Sequence, residues 1–317
     1  MMKNFIITID TEGDNLWNWH RGDKITTNNT AYLQRFQSLC NRYGYKPVWL
    51  SNWEMISDPR FVDFIKDSLS KNECELGMHL HAWNTPPEFA LNSYAGSRAP
   101  YLIEYPLEIM EEKIRAITDK MRETFGFAPV SHRAGRWAVN GDYLKLLKKY
   151  GYRIDCSVTP GISWKRSCGQ TPGFAGPDYR AESDIITVRE GITEVPVWTK
   201  WSHRYFPHKI RLDKHLPVNL LKDIYRIIFG RAIMLRPTGY NLRELLYVVK
   251  CNLRSDQDYL MFMIHSSELM PGGSPTFPTE QSIEKLYKDL EILFERISKD
   301  YKGVTLREYV DAKSDSN

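Results

Sequence analysis

Short apolar runs alternate with helical patterns along almost the whole chain, and this alternation limits the possible fold more than any other feature. Phe5–Ile9, Pro47–Ser51, Glu75–His81, Ser131–Arg133, Arg153–Val158, Glu194–Trp198, Leu260–His265 and Val304–Leu306 read as strands. Between them lie YLQRFQSLCNRYG, PRFVDFIKDSLSKN, PLEIMEEKIRAITDKMRETFG and NGDYLKLLKKYG, which read as helices. The last has apolar residues at 144, 146 and 147, Lys148 and Lys149 in its final turn, and a stop at Gly151. Strand–helix alternation of this kind predicts an α/β protein with a mainly parallel sheet. Seven or eight such units predict a (β/α) barrel, distorted or incomplete, as a single domain over residues 1–311 with a polar, frayed tail at 312–317. A flat doubly wound sheet is the competitor, but no GxGxxG follows the first strand.

Two stretches break the rhythm. Residues 84–106 are rich in Pro, Ser and aromatics, and residues 159–193 contain eight Gly or Pro. Both predict long loops after strands, where barrel enzymes place substrate contacts.

The 317 residues suffice for one large core or two modest ones. Five cysteines, odd in number and without a CxxC pair, predict reduced thiols rather than a disulfide frame. The N-terminal segment is too short for a signal-peptide core, and no run approaches the roughly 18 apolar residues of a membrane span. These features predict a soluble, cytoplasmic protein. The net charge of +4 conceals a basic block, since residues 200–254 hold twelve Lys or Arg against Asp213, Asp223 and Glu244. Within it, LPVNLLKDIYRIIFGRAIMLRP reads either as a basic amphipathic packing helix or as a surface for peripheral membrane contact through phosphates. The chain has neither an aromatic–basic RNA signature nor a helix-turn-helix pattern, which argues against nucleic acid as a partner.

Polar residues collect at strand ends. The first strand ends in Asp10-Thr11-Glu12, the third in His79-Leu80-His81, the fourth in Arg133 and a late one in His265. In a parallel barrel those ends converge on one rim. His79 and His81, two residues apart on a strand, face the same way and suit two imidazole ligands of one metal. Asp10 and Glu12 share that spacing. One carboxylate can complete a His₂-carboxylate site, and the other can accept a proton from a water. Asp14-Asn15 reads as a turn or cap. His265, ending a fully apolar run, is placed to act as a general acid.

Taken together, TIDTEGD, GMHLH, RAGRW, RIDCSVTPG and FMIHSSE resemble, in order and spacing, the five motifs of the polysaccharide deacetylase (NodB-homology, carbohydrate esterase 4-like) superfamily. The pattern is similar to a divergent branch linked with lipopolysaccharide and other surface-glycan biosynthesis. The resemblance implies a distorted (β/α)7-type barrel and metal-dependent removal of an acetyl group from an N-acetylated sugar. It implies Asp10 as catalytic base, Glu12, His79 and His81 as ligands of a divalent metal, most commonly zinc, and Arg133 as the partner of Asp10. It further implies His265 as the acid, with Asp155 supporting that rim. Trp83, Trp137 and Trp164 offer stacking faces for a sugar, as does Trp198. The implied substrates are N-acetylated sugars, nucleotide sugars or lipid-linked glycans. Departures are visible: Thr11 separates the two acids, the histidines are two rather than four apart, and Ala134-Gly135 stands where proline is usual. Two other classes fit parts of the pattern: a His₂-carboxylate Fe(II) oxygenase, and a glycan- or lipid-phosphate-binding protein whose site has decayed.

Overall fold

In the computed structural model, which describes residues 2–20, 22–91, 99–204, 224–225 and 227–314, the first strand sets the layering. Strand β1 (Lys3–Thr11) is buried on both faces. Its Phe5, Ile7 and Ile9 join one apolar cluster with the helices, while Ile6 joins a second with Val48, Leu50, Met261 and Met263. The two-residue period of a strand therefore divides its side chains between a helix-facing layer and a barrel interior. Thr8 and Asp10 share the parity of Ile6. That places their side chains on the interior face.

The remaining strands are β2 (Val48–Ser51), β3 (Glu75–Leu80), β4 (Ser131–Ala134), β5 (Ile154–Asp155), β6 (Thr187–Arg189) and β7 (Ile192–Glu194). They continue with β8 (Thr199–Ser202), β9 (Arg231–Met234), β10 (Tyr259–His265) and β11 (Tyr301–Gly303). The main sheet runs β10-β1-β2-β3-β4-β5-β7-β6, with β11 also beside β1, and only β6 and β7 pair antiparallel. The sheet curls into a distorted half-barrel. At its open side Met263 N donates to the Leu235 carbonyl at 3.1 Å, and Tyr259 Oη to the Pro196 carbonyl at 2.6 Å. Because the barrel strands are parallel, their C-terminal ends share one rim. Asp10 pairs in register with His265, and His79 with Arg133.

Helices cover the outer face. In Leu107–Phe125, Met110, Ile114, Ile117 and Met121 recur at helical spacing and are buried. Burying each is worth roughly 1.5–3 kcal/mol, so a charge at Ile114 would undo the packing of this helix. The helix ends at Gly126, whose φ of +83° forms a left-handed cap. Helix Gly141–Lys149 starts where Asn140 Oδ1 accepts the Tyr143 amide at 2.9 Å.

Several expected boundaries move. The strand expected at Val304–Leu306 lies at Tyr301–Gly303, and Leu306 instead begins a helix running to Ser314, three residues into the expected tail. The strand expected at Glu194–Trp198 is Ile192–Glu194, because Pro196 has no N–H to offer a ladder. The loop expected over 159–193 ends in a hairpin. Glu190 (φ +49°) and Gly191 (φ +78°) form its two-residue turn, the conformation that tight hairpins favour. Within the basic stretch, Arg231–Met234 is a strand paired with Thr199–Ser202, not a continuing helix. Residues 205–223 and 226 of the basic block and 92–98 of the first loop lie outside the described residues.

Candidate active site

At the C-terminal rim, Glu12, His79 and His81 bring one ligand atom each within 4.8 Å of one another, all three residues buried. His81 Nε2 lies 2.7 Å and His79 Nε2 3.7 Å from Glu12 Oε2, and the two imidazole Nε2 atoms are 3.1 Å apart. Ligand atoms around a tetrahedral zinc, with bonds of about 2.0–2.1 Å, lie about 3.3 Å apart. The donor set fits a divalent ion. His79 Nδ1 lies 2.9 Å from the Arg133 carbonyl. That oxygen can only accept, so Nδ1 carries the proton and Nε2 keeps its lone pair for a metal.

The local chain is built to hold this arrangement. Glu12 N donates to Ser266 Oγ at 3.0 Å, and the Glu12 carbonyl accepts from Asn29 Nδ2 at 2.8 Å. Gly13 follows because a Cβ there would meet Ile25 Cγ2 at 2.3 Å. Asp14 is structural, accepting from Thr26 Oγ1 and from the Asn29 amide. Gly135 admits the His81 ring, since a Cβ at that position would stand 2.5 Å from both His81 Nδ1 and the Leu80 carbonyl. The glycine in the arginine motif thus has a steric reason in this chain.

Asp10 occupies the interior beside the three ligand atoms. Arg133 Nη1 donates to its Oδ1 at 2.6 Å, while Arg133 Nη2 donates to Thr8 Oγ1 at 2.9 Å and Nε to the Cys156 carbonyl at 3.1 Å. Burial alone would raise the Asp10 carboxyl, but Arg133, with His79 and His265, outweighs it and holds the group below the usual range. Burial likewise opposes ionisation of Glu12, and the neighbouring imidazoles of His79 and His81 carry it well below the usual range. The two imidazoles diverge. Burial is the largest influence on both, yet Asp10 and Glu12 overcome it to raise His79, whereas it prevails at His81 and lowers it.

His265 Nε2 stands 3.9 Å from Asp10 Oδ2 and 3.9 Å from Glu12 Oε1. Its Nδ1 lies 3.1 Å from Glu268 Oε2 and 3.2 Å from Arg236 Nη2, and Arg236 also reaches Glu268 Oε1 at 3.2 Å. Trp17 packs its edge against the His265 ring at 5.1 Å and donates Nε1 to Ser267 Oγ at 3.0 Å. Asp10, Glu12, His79, His81 and His265 all line one cleft of about 580 Å³.

Not every expected residue reaches it. Asp155 is fully buried on the helix-facing side, in register with His132. Its Oδ1 lies 2.6 Å from His132 Nδ1, whose Nε2 meets Tyr143 Oη at 2.8 Å. Its parity is opposite to that of Arg133, so the geometry gives it a scaffolding place rather than one at the rim. Of the tryptophans, Trp83 and Trp137 line the cleft, and Trp83 lies 4.2 Å from the His81 ring. Trp164 is not among the lining residues. It stacks behind Trp137 at 5.8 Å and 10°. Trp198 is buried outside the cleft. Trp17, Trp19, Arg136, Arg166, Arg236 and Glu268 escape sequence reasoning, although LWNW directly after the acidic motif signals an aromatic wall.

No protein-family model matches the chain, and no curated protein matches it in sequence. Among solved structures it is similar to one described as a polysaccharide deacetylase from Mycobacterium smegmatis, at 14% identity and TM-score 0.55, over 99% of this chain and 92% of that one. It is also similar to 4-alpha-glucanotransferase from Thermococcus litoralis, at 14% identity and TM-score 0.51, over 98% of this chain and 40% of that one. Both likenesses establish the fold. One fold can host many chemistries, so activity has to be argued from the site.

Proposed function

We propose that this chain is a divergent polysaccharide deacetylase: a metal-dependent hydrolase that removes an acetyl group from an N-acetylated sugar. The observation that carries the reading is the meeting of Glu12, His79 and His81 with Asp10 and His265 in one cleft. Amide hydrolysis needs an activated water, compensation of charge on the carbonyl oxygen, and a proton for the departing nitrogen. A divalent ion, zinc being the first choice for a buried His₂-carboxylate set, supplies the first two when bound.

The protein's residues supply the rest. Glu12, His79 and His81 would hold the ion. Asp10 turns Oδ1 to Arg133 and keeps Oδ2 toward the cleft, where it accepts the proton of the attacking water. Arg133 keeps this base ionised and oriented. His265 delivers a proton from Nε2 to the leaving amine, with Glu268 fixing its far nitrogen. Trp17, Trp19, Trp83 and Trp137 give the sugar ring apolar faces.

The Asp10–Arg133 pair and His265 favour hydrolysis over the facial-triad oxygenase reading, which needs neither. Lipopolysaccharide or another surface glycan is the proposed pathway, with a nucleotide sugar or lipid-linked glycan as substrate form and the cytoplasm as location. Among the described residues no helix is long and apolar enough to cross a membrane. Peripheral membrane contact is supported by exposed Ile224, Tyr225, Ile227, Ile228 and Phe229 within the basic block. The testing experiment is acetate release from a panel of N-acetylated sugars, nucleotide sugars and lipid-linked glycans. Release that a chelator abolishes is expected. Iron-dependent turnover of 2-oxoglutarate, or no acetate from any member, would refute the reading.

A further inference from the structure

The cleft contains two cations that the proposed chemistry does not use. Arg136 lies two residues past the end of β4, with φ at +57°. Its Nη1 donates to the Ala99 carbonyl, and its Nη2 to Ser167 Oγ and the Cys168 carbonyl, both at 2.8 Å. All three acceptors are neutral, and they occupy three of the five guanidinium N–H groups. The guanidinium lies 3.8 Å over the Tyr101 ring. The neighbouring carboxylate, Glu104, is engaged elsewhere, accepting the backbone amides of Tyr101, Gln170 and Thr171. Arg166, two residues before Cys168, is exposed, and among the described residues its side chain has no ion pair or hydrogen bond.

The acids of the same cleft are already matched. Asp10 is paired with Arg133, and Glu12 with two imidazoles. Among the described residues of the cleft, Arg136 and Arg166 are thus the two cations without an acidic partner. A half-buried guanidinium held on neutral acceptors is a strong, geometrically selective receptor for a carboxylate or phosphate.

We infer that the substrate carries an anionic group, a carboxylate or a phosphate, held by Arg136 and Arg166 while its N-acetyl group reaches Glu12, His79 and His81. This rests on the deacetylase reading for the identity of the reacting group. Neutral chitin-like glycans would bind without this contact, and a nucleotide sugar, a phosphorylated sugar or a uronic acid would use it.

The test is equilibrium binding by the zinc-loaded full chain of three probes: N-acetylglucosamine, its 1-phosphate, and N-acetylglucosaminuronic acid. At least one charged sugar should bind about tenfold or more tightly than the neutral one. The phosphate and carboxylate arms identify which anion is preferred. Arg136→Gln and Arg166→Gln should each remove most of that advantage, weakening the charged sugars more than the neutral one. Arg136 also ties two loops together, so Arg166→Gln carries the test if Arg136→Gln fails to fold by thermal melting. Equal affinities, no detectable binding of either charged sugar, or a preference undiminished in Arg166→Gln would overturn the inference. Acetate release from neutral glycans without charge preference would end this inference alone. Charge-dependent binding without acetate release from any glycan would end the deacetylase reading alone.

Discussion

Arg133 and Asp10 lie 123 residues apart in sequence, yet Nη1 of the first donates to Oδ1 of the second at 2.6 Å, with both side chains buried in the barrel interior. The pair joins β4 to β1 and orients the proposed base in one contact. Removing one member leaves a buried charge without compensation, which typically costs about 3–5 kcal/mol. Arg133→Met should therefore destabilise the fold strongly in denaturant titration, and Arg133→Met with Asp10→Asn should recover part of the loss. Additive losses in that cycle would show that the two side chains are not coupled.

Gly135, just past the end of β4, lets the chain come close to the His81 ring because it carries no Cβ. Gly135→Ala should displace that ring and weaken zinc affinity about 10–100-fold, the range seen when the support of a ligand is disturbed. Competition with a chromophoric chelator measures it. Unchanged affinity would mean that His81 does not ligate the metal from this position.

Much of the site can be read from strand parity. Asp10, Glu12, His79, His81, Arg133 and His265 alternate with residues of the helix-facing layer, among them Ile9, Met78, Leu80, Ala134 and Ile264, and parallel strands bring their ends together. Parity also explains Asp155: it stands in register with His132, one residue off the phase of Arg133, and so meets the His132 ring rather than the cleft. The rest of the site comes from loops, which have no period to read. Trp17, Trp19, Arg136 and Arg166 are placed by long-range contacts, such as Trp17 with Ser267 and Arg136 with Ser167. The shifted strand at Glu194 and the hairpin at Glu190-Gly191 were obscured by local chemistry, a proline in one case and a non-glycine residue at positive φ in the other.

Glu54 makes stability depend on pH. Its Oε1 accepts the Gly13 amide at 2.8 Å and Asn52 Nδ2 at 2.6 Å. Burial, reinforced by nearby Glu12, outweighs these bonds and pushes its carboxyl up to about 7. A raised folded value means that the neutral form is favoured in the fold. Its stabilisation is complete below the unfolded value near 4.5 and is lost as pH rises through about 7. The loss between pH 5 and pH 8 is up to about 3 kcal/mol. Glu54→Gln should flatten this slope in chemical unfolding measured across that range. An equal slope in the variant would assign the dependence to other groups.

The three proposed ligands and the proposed base predict opposite outcomes for metal content. His79→Ala should lose bound zinc and activity together, since one of three donors is gone, whereas Asp10→Asn keeps every donor. Elemental analysis of the purified variants separates the two. Full zinc occupancy in His79→Ala would remove that residue from the ligand set.

The most direct measurement is acetate release by metal-stripped and zinc-reloaded protein, comparing wild type with Asp10→Asn at equal zinc content. Wild type should release acetate only when reloaded. Reloaded Asp10→Asn should be slower by about 10²–10⁴-fold, the usual worth of a positioned general base. Wild-type rates from the stripped protein, or from reloaded Asp10→Asn, would contradict the proposed mechanism.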